Sequence, residues 1–126
     1  MRSAISSPNL PPAIGPYSPG LRVGNLLFLS GQVPLDPATG QVVPGDVQAQ
    51  ARRVLENIAE LLRQAGADFS KVARTTVFLT NLEDFAAMNA VYAEYFSEPY
   101  PARSTVQVVR LPKDVMVEID VIAVLD

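Results

Sequence analysis

The sequence contains no histidine, no cysteine and no tryptophan in its 126 residues. Without histidine and cysteine it lacks the usual general base, the usual triad partner, any thiolate nucleophile and the side chains that hold zinc. Disulfides are excluded as well. Nowhere do roughly 18 apolar residues follow one another, so no membrane-spanning helix and no membrane partner are expected. The opening residues Met1 to Pro8 lack the apolar middle of a secretory signal, which makes the cytoplasm the expected compartment. Basic blocks are scarce: the longest is Arg52-Arg53, and the net charge is −3. Such a chain gains little from the counterion release that drives nonspecific nucleic-acid binding, so nucleic acid is not an expected partner. No glycine-rich phosphate loop and no acidic loop with EF-hand spacing occurs. Any catalysis must therefore come from Asp, Glu, Arg, Lys, Tyr, Ser, Thr or backbone groups.

What is present suits one domain spanning residues 1–126, with 48% of its residues apolar, enough for a core of its own. Five of the eleven prolines fall in the first 20 residues, at Pro8, Pro11, Pro12, Pro16 and Pro19, so that segment is expected to be extended and irregular. Val23-Gly24-Asn25-Leu26 has hairpin-turn chemistry, and Leu26 to Ser30 follows as a buried strand. Asp36-Pro37-Ala38-Thr39-Gly40 is another turn. Asp46 can cap a helix in which Val47, Ala51, Val54, Leu55, Ile58, Leu61, Leu62 and Ala65 recur at helical spacing, with Gly66 as the stop.

The alternating, β-branched run Val72 to Thr80 predicts a strand. Asn81 can cap a second helix with the stripe Phe85, Met88, Tyr92 and Phe96, ended by Pro99 and Pro101. Strands are expected over Ser104 to Val109 and Val115 to Leu125. The predicted order β-β-α-β-α-β-β is an α+β plan, a mixed sheet with two helices on one face. The other face keeps Met116, Ile122, Val124 and Val106 or Val109, so oligomerisation is expected to cover it.

Several polar residues sit where the pattern asks for apolar ones. Glu118 interrupts the long final strand. It is either paired or exposed there, or else held half-buried as a general base. Asp120 shares its face. Arg103 opens a strand and can clamp a carboxylate with two parallel hydrogen bonds, although a lone arginine at a strand end is commonly only a surface residue. Asn89 falls on the apolar stripe of the second helix, where a buried amide needs partners. Tyr17 and Ser30, the latter just before Gly31, suit either a pocket or simple packing. Ser30 has no histidine to activate it, and nothing in the spacing supports a partnership with Lys71 or Lys113.

In order along the chain, Ala13-Ile14-Gly15-Pro16-Tyr17-Ser18, Ser30-Gly31-Gln32-Val33-Pro34, Asp36-Pro37 with Thr39-Gly40, Thr75-Thr76-Val77-Phe78, Asp84-Phe85-Ala86 through Asn89 to Tyr92, Pro101-Ala102-Arg103-Ser104, Leu111-Pro112-Lys113 and Val117-Glu118-Ile119 together resemble the RidA (YjgF) family over nearly the whole sequence. The resemblance implies a chorismate-mutase-like fold assembled as a homotrimeric barrel, with sheets inside, helices outside and active sites between subunits. It implies a cofactor-independent hydrolase, without a metal, that deaminates 2-iminobutanoate and 2-iminopropanoate to 2-oxo acids and ammonia. Arg103 would grip the substrate carboxylate and Glu118 would position or deprotonate the attacking water. Tyr17, Ser30 and Asn89 would shape the cleft, with backbone groups near Gly31 and Thr105 completing it. Many members carry cysteine where this chain has Thr105, which bears on substrate preference. A trimer that binds 2-oxo acids as a regulator, without turnover, is the alternative reading.

Overall fold

The computed structural model describes all of residues 1–126. Its elements are strands β1 (Arg2–Ile5), β2 (Gly20–Val23) and β3 (Leu26–Gln32), helix α1 (Val47–Gln64), strand β4 (Val72–Leu79), helix α2 (Phe85–Tyr92), and strands β5 (Ala102–Gln107) and β6 (Val117–Val124). Six strands form one mixed sheet in the order β1-β2-β3-β6-β4-β5. All neighbours are antiparallel except β4 and β5, whose parallel pairing requires the crossover that α2 supplies. The expected α+β plan with two helices on one face is what forms.

Local chemistry accounts for the frame. Asp46 accepts the Ala49 amide at 3.0 Å and caps α1. At the other end Gly66 turns left-handed (φ +74°), and the Ala67 and Gly66 amides return to the Leu62 and Arg63 carbonyls. The apolar face of α1 and the inward residues of the strands meet in one core. Val54, Leu55, Ile58, Leu61, Leu62, Val77, Leu79, Val117, Ile119 and Ala123 are wholly inaccessible within it. Three polar side chains are buried with them, each satisfied. Gln50 Oε1 accepts the Met116 amide at 2.8 Å, Asn57 Nδ2 donates to the Leu35 carbonyl at 3.0 Å, and Thr75 Oγ1 lies 2.7 Å from the Tyr92 hydroxyl.

The structure departs from the sequence reading in several places. Arg2–Ile5, expected to be irregular, add an edge strand to β2; the irregular stretch begins only as the prolines accumulate. β3 runs on to Gln32 and is not buried throughout: Leu27 and Leu29 enter the core while Leu26 and Phe28 stay exposed, because only one sheet face has helices to cover it. α2 stops at Tyr92, well before the prolines; a turn carries the chain to Phe96, which still stacks on Tyr92 with ring centres 4.3 Å apart. β5 lies earlier than predicted, ending at Gln107 and leaving Val109 wholly exposed. β6 is shorter than the apolar run that suggested it, and Met116 lies outside it, packed against the core margin.

The uncovered face is otherwise as expected. Leu26, Phe28, Val106 and Val124 are between 37% and 42% exposed, and half-buried Phe78 and Ile122 lie among them. That is a continuous apolar sheet surface, larger than the scattered apolar side chains of ordinary protein exteriors. No helix is long and apolar enough to cross a membrane.

Candidate active site

The site begins with an irregularity in β3. Leu29 pairs with Val121 and Gln32 with Ile119, so β3 carries one more residue than β6 over this stretch. The extra residue makes a bulge at Ser30-Gly31, the kind of feature that re-aims side chains beside binding sites. Ser30 is fixed there twice by the proline-rich segment: its amide donates to the Pro19 carbonyl at 2.9 Å and its hydroxyl to the Ser18 carbonyl at 2.6 Å. Gly31 is required by space. A Cβ on it would come 2.7 Å from Glu118 Cδ and nearer still to Oε2, so the carboxylate lies directly against the Gly31 backbone.

Glu118 is half-buried on the uncovered face of β6, opposite Phe78 of β4. None of the ion pairs in the protein includes it, which removes the paired reading of this residue. Burial pushes its carboxyl above the ordinary carboxylate range, and the Asp120 carboxylate on the same face pushes it the same way. Tyr17, Ser30, Gly31 and Glu118 line one cavity of about 850 Å³, walled also by Ile14 and Leu10 of the proline-rich segment.

The other expected residues gather elsewhere. In β5, Arg103 pairs with Thr75 and Thr105 with Val77; both partners are inward-facing core residues, so Arg103 and Thr105 point to the helix side of the sheet. The Arg103 guanidinium lies 4.7 Å from the ring centre of Tyr92 and 5.5 Å from that of Phe85. A cation over two aromatic faces is attracted by their quadrupoles and held in one orientation. Asn89 lies between those two aromatics on α2. Its Oδ1 and the Thr105 Oγ1 are buried without a hydrogen-bond partner in the protomer. Buried polar atoms are usually paired, so these two acceptors mark a place where a polar group is wanted.

The predicted residues therefore form two half-sites on opposite faces of the sheet. Glu118 and Arg103 sit on strands separated by β4, roughly 9–10 Å apart within the sheet and pointing away from each other. A small ligand cannot touch both within one protomer. The aromatic platform under Arg103 was not recognised as part of the site from the sequence, where Phe85 and Tyr92 read simply as core. The bulge was missed as well, since strand pairing is not visible in local pattern. No group of three or more acidic side chains gathers to hold a metal ion.

Comparison with known proteins agrees with the assignment made from the sequence. The family model described as Endoribonuclease L-PSP matches residues 7–125. The 2-iminobutanoate/2-iminopropanoate deaminase of Escherichia coli is 48% identical over 127 residues, covering 98% of either chain. The crystal structure of RidA from an Antarctic Psychrobacter superposes with a TM-score of 0.93 at 42% identity, covering 98% of this chain and 99% of that one. That of Escherichia coli TdcF with bound serine gives 0.92 at 47% identity, again over 98% and 99% of the two chains. Sequence and architecture match over almost the full length, and the chain belongs to the RidA (YjgF) family, the group its family model describes as Endoribonuclease L-PSP.

Proposed function

We propose that this protein is an imine deaminase that hydrolyses small 2-imino acids, 2-iminobutanoate and 2-iminopropanoate among them, in clefts shared between the subunits of a cytoplasmic homotrimer. The observation that carries the proposal is the division of the polar residues into two half-sites on opposite sheet faces. Each is incomplete alone: one has a carboxylate base without a carboxylate anchor, the other an anchor and two unpaired acceptors without a base. The exposed apolar face supports self-association, because covering it is worth about 1 kcal/mol for each half-exposed side chain. The deaminase name of the Escherichia coli relative and the serine bound to TdcF favour a small amino-acid-derived ligand.

In this reading Arg103 of one subunit grips the substrate carboxylate and turns the C=N carbon toward Glu118 of the next. Tyr17, Ser30 and the Gly31 backbone shape the cleft around it. With the imine nitrogen already protonated, the Glu118 carboxylate takes a proton from water as the water oxygen bonds to the imine carbon and the C=N π electrons move to nitrogen, giving a neutral carbinolamine. Glu118 then passes that proton to the amino nitrogen, the C–N bond breaks as the hydroxyl oxygen forms the carbonyl, and the hydroxyl proton passes to the departing ammonia, releasing ammonium and the 2-oxo acid. The imine carbon is already electrophilic, so orientation and modest base assistance suffice. Asn89 Oδ1 and Thr105 Oγ1 offer acceptors for the N–H and O–H groups that appear along this path.

The test couples a threonine dehydratase to this protein and follows 2-oxobutanoate release, with semicarbazide trapping the surviving imine. Faster hydrolysis by the wild type, lost in Arg103→Ala, is the expected result. No acceleration by the folded oligomer, together with retained 2-oxobutanoate binding, would favour the regulatory reading. RNA cleavage, which the family description raises, is checked in the same preparation.

A further inference from the structure

Thr75 and Tyr92 form a polar pair at a place where the core needs none. Both are buried, and Thr75 Oγ1 lies 2.7 Å from the Tyr92 hydroxyl. Valine and phenylalanine would fill the same space. Exchanging both members of a buried hydrogen-bonded pair for apolar groups of the same shape is nearly neutral for stability, whereas removing one strands the other. Stability alone does not account for the pair.

Its position does. In the parallel register of β4 and β5, Thr75 stands directly opposite Arg103, and both side chains project to the helix side of the sheet. There α2 brings the Tyr92 ring against them, its centre 4.7 Å from the Arg103 guanidinium carbon. The ring is held twice. Phe96, itself braced edge-on by Phe69 at 5.0 Å, stacks on it with ring centres 4.3 Å apart. Thr75 ties its hydroxyl to the sheet. Burial raises the Tyr92 phenol above its ordinary value, so it stays neutral beside the cation. Arg103 takes part in none of the ion pairs, which leaves its direction to the rings. Phe85, the other ring, is 5.5 Å away and exposed, a looser support.

We infer that Tyr92 is the positioning residue of the carboxylate anchor: fastened by Thr75, its ring sets the direction of the Arg103 guanidinium and so the affinity for the carboxylate of a 2-imino acid. The inference rests on the proposed deaminase reading and deepens it. Tyr92 acts through Arg103. Ordering a rotamer-rich side chain opposes binding, and an arginine already fixed on a ring escapes most of that cost.

The experiment compares the wild-type oligomer with the double variant Thr75→Val/Tyr92→Phe, which keeps the ring and removes both hydroxyls together. Calorimetry gives Tm and the binding of 2-oxobutanoate, the stable ketone analogue, and NMR follows the Arg103 Nε–H resonance. Tm should change little. 2-Oxobutanoate should bind about two- to fivefold more weakly, the scale of one impaired cation–π contact. KM for 2-iminobutanoate should rise by a similar factor with kcat little altered. The Arg103 resonance should move toward that of a solvated arginine, and Thr75→Ser, which keeps a hydroxyl, should behave as the wild type. In an Arg103→Lys background, where the ammonium has no flat face to lie on a ring, the same double change should cost no further affinity. Unchanged affinity and an unchanged resonance overturn the inference. A loss that persists in the Arg103→Lys background, or a double variant that does not fold, also overturns it, since the pair would then serve the core at large. Wild type that shows these binding effects without hydrolysing 2-iminobutanoate removes the deaminase reading and leaves Tyr92 positioning the anchor of a 2-oxo-acid site. Wild type that neither binds the 2-oxo acid nor hydrolyses the imine sinks both.

Discussion

Glu118 stands on the open face of a central strand, beside a bulge and a glycine, whereas Arg103 stands on the helix face of the edge strand, stacked on two aromatic rings. The first environment removes solvent from a carboxylate and gives it no counter-ion, so its affinity for a proton rises. The second holds a permanent cation by ring faces instead of by an acid, so the guanidinium keeps its donors for a ligand. Candidate base and anchor are held by opposite means, and within one protomer the sheet between them keeps them from pairing with each other. Had both faced the same side of one protomer, the obvious outcome would have been an internal salt bridge.

The sharpest way to break this comparison is to inactivate the two halves separately. Glu118→Gln and Arg103→Ala should each lower kcat/KM by about two to four orders of magnitude, the range for loss of a general base or of substrate orientation. Refolding the two inactive variants together at equal amounts should restore about a quarter of wild-type activity, because random trimers then contain clefts built from two intact halves. Continued inactivity of the mixture would put both residues in one chain's site.

Next in size is an attack on the open apolar face that the proposed trimer would bury. Val124→Asp on the open face should convert the oligomer to monomer in analytical ultracentrifugation and lose most activity, leaving the α1 core unchanged by circular dichroism. A Val124→Asp protein that remains trimeric would mean that another surface makes the assembly.

The raised carboxyl predicts two further effects of opposite sign. In the proposed mechanism the ionised form is the base, so kcat/KM should rise with pH through a limb lying above the ordinary carboxylate range, and Glu118→Gln should erase that limb. Stability runs the other way. A carboxyl whose folded pKa exceeds its unfolded value favours the folded state below the unfolded pKa, and that contribution is lost as pH rises through the folded one. At neutral pH the half-buried charge is therefore a cost, and Glu118→Gln should raise Tm by on the order of a few degrees by calorimetry.

The smallest expected effect concerns Thr105. Thr105→Val removes a hydroxyl that has no partner in the protomer, so Tm should hold or rise slightly, while kcat/KM falls by less than about tenfold if the hydroxyl meets the ligand. A fall in Tm of several degrees would show that the hydroxyl is satisfied within the assembly instead.

Most of the frame was legible in the sequence because it follows from short-range rules. The cap at Asp46, the stop at Gly66, the helical stripe of α1 and the alternation in β4 and β6 depend on neighbours within a few residues. β1 was not legible, since Arg2–Ile5 carry no alternation and become a strand only because the β2 edge is there to pair with. The early end of α2 and the shift of β5 belong to the same class, set by what they pack against. The candidate site residues were named from ordered motifs. Their distribution over two sheet faces was not legible in them.

The sequence by itself determined the chemistry available to this protein: no imidazole and no thiol, with a carboxylate and a guanidinium as the candidate base and anchor, within a two-helix, mixed-sheet domain. Only the tertiary structure decided that the carboxylate and the guanidinium lie on opposite faces and that a one-residue bulge lays Glu118 against Gly31. The physical reason is range. Composition and periodicity record what each residue can do with its neighbours, whereas facing, register and desolvation are properties of strands paired across the sheet, far apart in sequence.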